Sequence, residues 1–363
     1  MFPEILMINF SKTFKNKKVF LTGHTGFKGS WLTVWLQLIG AQVKGYALKP
    51  EKESLYSKIK SQLDLKSVYG DILDKERLRK EILEFQPDFI FHLAAQALVL
   101  ESYKNPIETF NTNIIGSAHV LDSLRFLKKK CICVIVTTDK VYQNQEINYA
   151  YVETDKYGGY DPYSASKAAA EIVTESFRLS FFNQTDFLKH KKSVATARAG
   201  NVIGGGDFAD NRIVPDIFRA LSKSKIIEVR NPDAVRPWQH VLEPLGGYLS
   251  LASAMNAEPQ KFASSFNFGP DLKDTCTVEQ LVNFAIKSWG IGNYKSAQTK
   301  NKPHEAGLLL LNINKAKKEL DWKPKWNCQE AIEKTVAWYK NSLNKKCNIL
   351  ELCENDIIDY VRK

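Results

Sequence analysis

Strand-like and helix-like stretches alternate along the first half of this chain, and that alternation limits the fold more than any other feature. "KKVFLTG" is a short apolar run, and "GSWLTVWLQLIG" after it has helical spacing and stops at Gly40. "AQVKGYAL" is again strand-like. "DKERLRKEILEFQ" is an amphipathic helix starting near Asp74, and "PDFIFHLAA" a strand. The helix "NTNIIGSAHVLDSLRFLKKK" leads to the strand "CICVIVTT", and the helix "SASKAAAEIVTESFRLSFF" to the strand "SVATARAGNVIG". A chain with this rhythm buries its strands as βαβ crossovers in one parallel sheet with helices on both faces.

The rhythm breaks after Asp207. Pro215, Pro232, Pro237, Pro244, Pro259 and Pro270 divide the chain into short elements, and helical patterns return in "VEQLVNFAIKSWG" and "NCQEAIEKTVAWYKNSL". The expected organisation is a nucleotide-binding unit over residues 1–200, a smaller region over 201–345 and a tail over 346–363. The boundary is soft, with later segments free to rejoin the main sheet, and the tail reads as an amphipathic appendage. With 363 residues the chain can bury a full core.

Composition excludes several classes. No apolar run reaches the ~18 residues of a membrane span, and the N-terminus has no cleavage site of small residues, so a cytoplasmic protein with no membrane partner is expected. The net charge of +11 raises the question of nucleic acid. However, the lysines lie in separate short runs flanking apolar segments, which points to solvated loops and to attraction of a small anion rather than to nucleic acid. The six cysteines form no C-x-x-C pair and have no histidine cluster at zinc spacing, so no metal is expected and all six read as reduced thiols. Cys131 and Cys133 alternate, which puts both on one face of a strand.

"VFLTGHTGFKGSWL" sets Gly23, Gly26 and Gly29 in the first strand-to-helix turn. There Gly23 allows the tight turn, Gly26 clears the approach of a diphosphate, and Gly29 lets the helix pack closely, its N-terminus facing the anion. This is the phosphate turn of a doubly wound, Rossmann-like sheet. The acid that usually binds the adenosine ribose at the end of the second strand is missing. Leu48 and Lys49 stand there, and Lys49 suits a 2′-phosphate, so NADP stays open beside NAD. "DPYSASK" puts Tyr163 and Lys167 one helical turn apart on one face. A phenol is a weak base at neutral pH, and a neighbouring ammonium favours its phenolate.

These motifs resemble the extended, nucleotide-sugar branch of the short-chain dehydrogenase/reductase superfamily. The resemblance assigns cofactor contacts to Gly23, Thr25, Gly26, Phe27 and Gly29, to Asp71 and Ile72, to Leu93, Ala94 and Ala95 in "HLAAQ", to Asn113, and to Tyr163 and Lys167. In "TTDKVY", Thr138 and Asp139 match the hydroxyl and the acid of sugar-nucleotide 4,6-dehydratases, but Lys140 stands where most carry a glutamate. That Asp-Lys pair, with "RAGNVIGGGDFADNRIVPD", "RNPDAVRPWQHVLEPLGGYL" and "HEAGLLLLNINKAKKELDWKP", resembles the CDP-glucose 4,6-dehydratases from about Lys15 to Trp338.

The resemblance implies a hydro-lyase acting on CDP-glucose or a related nucleotide sugar. It oxidises C4, eliminates water across C5 and C6, and reduces C6. Thr138, Asp139, Lys140, Tyr163 and Lys167 would be catalytic. Asn201, Arg212, Arg236 and His304 would bind substrate, with Trp238 and His240 nearby and Gly204 to Gly206 lying against the nucleotide. Lys140 could act as a neutral base at C5, or as an ammonium beside the enolate. A homodimer or homotetramer built through the Tyr163 helix, serving deoxysugar and lipopolysaccharide O-antigen synthesis, is implied as well. The alternatives are another nucleotide-sugar dehydratase, an epimerase, or a non-catalytic cofactor sensor.

Overall fold

The structure, a computed structural model, describes residues 10–210, 212–296 and 308–363. Its centre is a seven-stranded parallel sheet: β1 (Lys18–Thr22), β2 (Gln42–Ala47), β3 (Lys66–Tyr69), β4 (Phe89–His92), β5 (Cys131–Val136), β6 (Lys192–Ala199) and β7 (Ser265–Phe268). The order across the sheet is β3-β2-β1-β4-β5-β6-β7. Val19 of β1 faces Val43 on one side and Phe89 on the other. The order reverses between β1 and β4, and this switch point opens a crevice beyond the carboxyl ends of both strands, where open α/β sheets bind ligands.

Alternation along the strands makes two cores. Cys131, Cys133 and Ile135 of β5 join Phe20 and Ile90 on one face. Helices α2 (Lys75–Phe85), α3 (Gly116–Phe126) and α4 (Pro162–Ser180) cover that face. Ile132, Val134 and Val136 point the other way, toward α1 (Phe27–Leu38), α6 (Leu242–Ala257) and α9 (Ile349–Arg362). Between them in sequence lie α5 (Ile213–Leu221), α7 (Val278–Trp289) and α8 (Cys328–Ser342), which pack together. The tail helix α9 is part of the body: Tyr360 meets Trp35 of α1 edge to face at 5.6 Å.

Several sequence expectations change. β3 has no apolar run to announce it, since its four residues are all at least partly exposed. The run "SVATARAGNVIG" is not one strand. It turns at Gly200, where a Cβ would stand 2.8 Å from Pro237, and Val202–Ile203 then pairs with Gln239–His240. Pro244, Gly246 and Gly247 hide α6 in the sequence, yet the proline sits in its first turn and Gly247 makes room for Phe268. Cys276 and Cys328 form a disulfide across 52 residues, so for that pair the expectation of reduced thiols fails. Nothing in the spacing shows that the fold brings their Cα atoms to 6.7 Å. Among the described residues no helix can cross a membrane and no His/Cys/Asp/Glu cluster could hold a metal.

Candidate active site

The three glycines of the β1–α1 turn do different work. Gly23 has φ +76°, and a Cβ there would stand 2.7 Å from the Ala94 nitrogen. At Gly29 a Cβ would lie 2.1 Å from the Gly23 carbonyl oxygen. Gly26 is different, because among the described residues its Cβ would meet only that oxygen, at 3.3 Å. Gly26 is also the N-cap of α1 and provides no side-chain acceptor, whereas Asp74 and Asp161 cap α2 and α4 with their carboxylates. An uncapped helix start beside space that no described residue fills is a cradle for a diphosphate, and the residues present fit a dinucleotide.

The other expected cofactor residues surround this turn. The Thr25 hydroxyl donates to the Leu48 carbonyl at 3.1 Å, beside the exposed Leu48 and Lys49. Phe27 packs on the core. The Asp71 carboxylate accepts from the Leu73 nitrogen, and the Ile72 side chain is buried against Gly116, leaving only its backbone to meet a ligand. Leu93, Ala94 and Ala95 follow β4, and the Ala94 nitrogen donates to the Thr22 hydroxyl at 3.3 Å.

A buried polar chain joins this turn to α4. The Thr22 hydroxyl bonds His92 Nδ1 at 2.7 Å, and His92 Nε2 bonds Ser117 at 3.0 Å. Ser117 donates to the Asn113 carbonyl, and the Asn113 amide donates to Ser166 at 2.8 Å and to the Gln96 carbonyl. Ser166 closes the chain by donating to the Tyr163 carbonyl at 2.7 Å. Asn113 sits in a wide turn spanning Asn111–Ile115, which bends its amide toward both partners. Burial holds His92 down to about 3, so it stays neutral and keeps one donor and one acceptor.

Asp161 caps α4 through the Ser164 nitrogen, and Pro162 opens the first turn, which fixes where Tyr163 points. Opposite it, Thr138 donates to Asp139 Oδ1 at 2.9 Å, and Lys140 Nζ donates to the same oxygen at 3.2 Å. Asp139 Oδ2 is buried with no partner among the described residues. The Lys167 ammonium donates to the Val136 carbonyl at 2.9 Å, and burial lowers it to about 8. Burial raises Tyr163 above the usual phenol range, and the effects pulling it down are first the Lys140 charge, then a hydrogen bond with Thr138 and the Arg212 charge. Thus the foremost cation acting on the phenol is Lys140, across the site, with Arg212 adding to it.

The expected substrate residues divide. The Asn201 side chain accepts from Lys140 Nζ at 3.4 Å. Arg212 pairs with Asp207 at 2.9 Å and acts electrostatically on Tyr163. Arg236 is buried, donates to the Val235 carbonyl, and acts on Lys140. His304 lies outside the described residues. His240 is not a site residue, being fully buried between Trp31 and Trp326 with ring centroids at 6.1 and 4.7 Å.

The glycines at 204 to 206 are also reassigned. A Cβ at Gly205 would lie 2.0 Å from the Trp338 ring, one at Gly204 would lie 2.8 Å from Val241, and one at Gly206 would lie 2.9 Å from Leu55. They accommodate the protein's own side chains, so no ligand is needed to explain them.

Two features escaped sequence reasoning. Glu171, one turn beyond Lys167 on α4, accepts from Thr137 at 2.5 Å, from Thr196 at 2.7 Å and from both Nε and Nη2 of Arg198. This buried pair braces α4 against β6, and spacing could have flagged only Glu171. The second is Lys28 in the glycine turn, whose amine reaches the Tyr248 hydroxyl at 3.3 Å.

The family described as GDP-mannose 4,6 dehydratase matches residues 20–335. The CDP-glucose 4,6-dehydratase of Salmonella typhimurium is 44% identical over 96% of this chain and 97% of its own length. The dTDP-D-glucose 4,6-dehydratase of Dictyostelium discoideum is 26% identical over 92% and 84%. Among solved structures, the dTDP-glucose 4,6-dehydratase of Bacillus anthracis in complex with NAD superposes with a TM-score of 0.73 at 21% identity, covering 89% of this chain and 96% of that one. An epimerase of Methanothermobacter thermautotrophicus gives 0.77, again at 21%, covering 97% and 98%. The glycine turn, the Asp-Lys pair and the likeness along nearly the whole chain agree: this chain belongs to the GDP-mannose 4,6 dehydratase family and stands within it beside the CDP-glucose 4,6-dehydratases.

Proposed function

We propose that the protein is a hydro-lyase that converts CDP-glucose to CDP-4-dehydro-6-deoxy-glucose. The observation that carries this is the Asp139–Lys140 pair beside Tyr163, in a chain so like a CDP-glucose 4,6-dehydratase. NAD is the proposed cofactor, held by the turn from Gly23 to Gly29, by Asp71 and Ile72, and by the loop from Leu93 to Ala95; when bound it supplies the hydride acceptor for oxidation at C4 and the donor for reduction at C6.

Tyr163 takes the proton of the sugar 4-hydroxyl. Thr138 and the Lys140 charge favour the phenolate this requires, against burial. Burial pushes Lys140 down, but Asp139 and Tyr163 push it up more strongly, and it remains an ammonium. That supports the second of its two roles, stabilising negative charge on the enolate that forms when C5 loses its proton. Asp139 has one oxygen occupied by Thr138 and Lys140; its Oδ2, which has no partner among the described residues, is the atom proposed to take the C5 proton and pass it to the departing 6-hydroxyl, which leaves as water, while solvent returns a proton to C5 as C6 is reduced. Asn201 and Arg236, both beside Lys140, are the proposed substrate diphosphate contacts, and the Arg236 guanidinium suits phosphate oxygens.

The test is incubation in deuterium oxide with CDP-glucose, dTDP-glucose, UDP-glucose and GDP-mannose in turn. A 4-keto-6-deoxy product from CDP-glucose, carrying deuterium at C5, is expected. Lys140→Met should lose roughly a hundredfold or more in water elimination. Turnover of another nucleotide sugar in preference, or epimerisation with the 6-hydroxyl retained, would overturn the assignment. The exposed apolar side chains Ile107, Ile115, Phe126, Ile172, Leu179 and Phe181, on α4 and the segments packed beside it, favour a homo-oligomer. Light scattering that finds only the monomer mass at micromolar concentration would exclude it.

A further inference from the structure

Among the described residues the amine of Lys28 has no carboxylate partner, though the residue is largely enclosed by the fold. The residue lies in the first turn of α1, two positions beyond Gly26, and it is only partly exposed. Among the described residues its one hydrogen bond goes to the neutral Tyr248 hydroxyl at 3.3 Å, with its Nζ 5.8 Å from the centre of that ring. Tyr248 is itself fully buried on α6. Lys167, Arg212, Asp139 and Lys140 all act on Lys28 electrostatically. Even with Asp139 and the Asp207 partner of Arg212 counted, the cations around this spot outnumber the carboxylates.

An excess of cations next to an uncapped helix start is a binding site for a multiply charged anion. Both a dinucleotide and a nucleotide sugar carry a diphosphate. The position of Lys28 favours the dinucleotide, because the residue belongs to the same turn whose backbone receives that group. We propose that Lys28 anchors the diphosphate of the bound dinucleotide, adding a side-chain ammonium to the backbone cradle of the glycine turn. This rests on reading the turn as the cofactor site.

The inference has a thermodynamic signature. Burial first, then the charges of Lys167 and Arg212, bring free Lys28 down to about 7. A diphosphate beside it favours the ammonium and raises that value. At pH 8 the protein should therefore take up protons as the dinucleotide binds.

The experiment is calorimetric titration of NAD at pH 8 in phosphate and in Tris, which differ in ionisation enthalpy, with CDP titrated in parallel. Wild-type protein should take up a large fraction of one proton per NAD. Lys28→Met should remove most of the uptake, leaving the part due to Lys167 in the same site, and weaken NAD roughly tenfold or more, a loss of about 1.4 kcal/mol, with CDP affinity kept within about threefold. Lys28→Arg, always charged, should bind NAD nearly as tightly as wild type but with only that remaining uptake. Unchanged NAD affinity and uptake in Lys28→Met would overturn the inference and leave the cofactor site standing. A loss confined to CDP would move Lys28 to the sugar nucleotide and overturn it too. Wild type that binds no NAD would sink both readings. If Lys28→Met does not fold, absence of uptake in wild type alone decides against the inference.

Discussion

Two glycine clusters meet helix α1 in this protein, one at its start and one against Phe27 and Trp31, and they are glycine for opposite reasons. In the first turn, the side chain missing at Gly26 leaves room that none of the described residues fills. At Gly204 to Gly206, the missing side chains are replaced by Val241, Trp338 and Leu55, which come from distant parts of the sequence. Trp31 reinforces that second packing by donating to the Gly205 carbonyl at 2.9 Å. In one cluster the space is kept for a ligand, and in the other it is consumed by the core. The glycines alone do not distinguish the two cases; what occupies the space does.

The filled cluster can be broken most severely. Gly205→Ala places a methyl group inside the Trp338 ring, which is itself buried and cannot step aside. We expect a destabilisation of about 3 kcal/mol or more, at the upper end for an overpacked core. The measurement is chemical unfolding, with Gly205→Ala/Trp338→Phe as the partner, which should recover part of the loss. Wild-type stability in Gly205→Ala would mean that the packing against Trp338 is not the reason for the glycine.

The same filled side contains a buried acid that gives it a pH dependence. Glu243, in the first turn of α6, accepts from the Lys325 and Trp326 nitrogens at 3.0 and 2.7 Å and from the Tyr360 hydroxyl at 2.8 Å. Burial lifts it from the usual 4.5 to about 7 despite these donors. Because the folded state holds the proton more tightly, this contribution is full below pH 4.5 and is lost as the pH rises toward 7. Glu243→Gln keeps the shape and removes the charge, so its stability should exceed that of wild type above pH 7, by on the order of 2 kcal/mol. Parallel stability curves for the two proteins between pH 4.5 and 8 would show that Glu243 carries no such cost. No comparable change is expected in dinucleotide affinity, since Glu243 belongs to the packing of α6 and α9.

What the sequence reveals follows the same division. The βαβ alternation and the β1–α1 turn are legible because their signals are local: strand period, helix period, and glycine spacing within a few residues. β3 is not, because an edge strand with partly exposed residues has no apolar run. α6 is not, because Pro244 and the glycine pair look like breaks until Phe268 is seen against Gly247. Within the site, Tyr163, Asp139 and Lys140 are readable from their motifs. The full set of charges is not, since helical spacing selects Lys167 while only the fold sets Lys140 near the phenol. Lys28 reads as an ordinary surface lysine at a helix start, and only the packing of Tyr248 beneath it reveals where its amine goes. His240 shows the reverse error, a residue with suitable chemistry that the fold encloses between two tryptophans.

The open cluster supplies the mildest and most discriminating test. Among the described residues a Cβ at Gly26 meets only the Gly23 oxygen at 3.3 Å, and the backbone there is extended, with φ −79° and ψ 172°, a conformation alanine adopts freely. Gly26→Ala should therefore fold with its stability changed by less than about 1 kcal/mol. The new methyl group would nevertheless occupy the approach of a diphosphate to the first turn of α1. Dinucleotide affinity should fall roughly tenfold, read by titrating NAD against the tryptophan fluorescence of the protein. Gly205→Ala should show the opposite pattern, with lost stability but near-normal affinity in whatever fraction remains folded. If Gly26→Ala bound NAD as tightly as wild type, the space beside Gly26 would not be where the diphosphate lies, and the contrast between the two clusters would reduce to a difference in packing density alone.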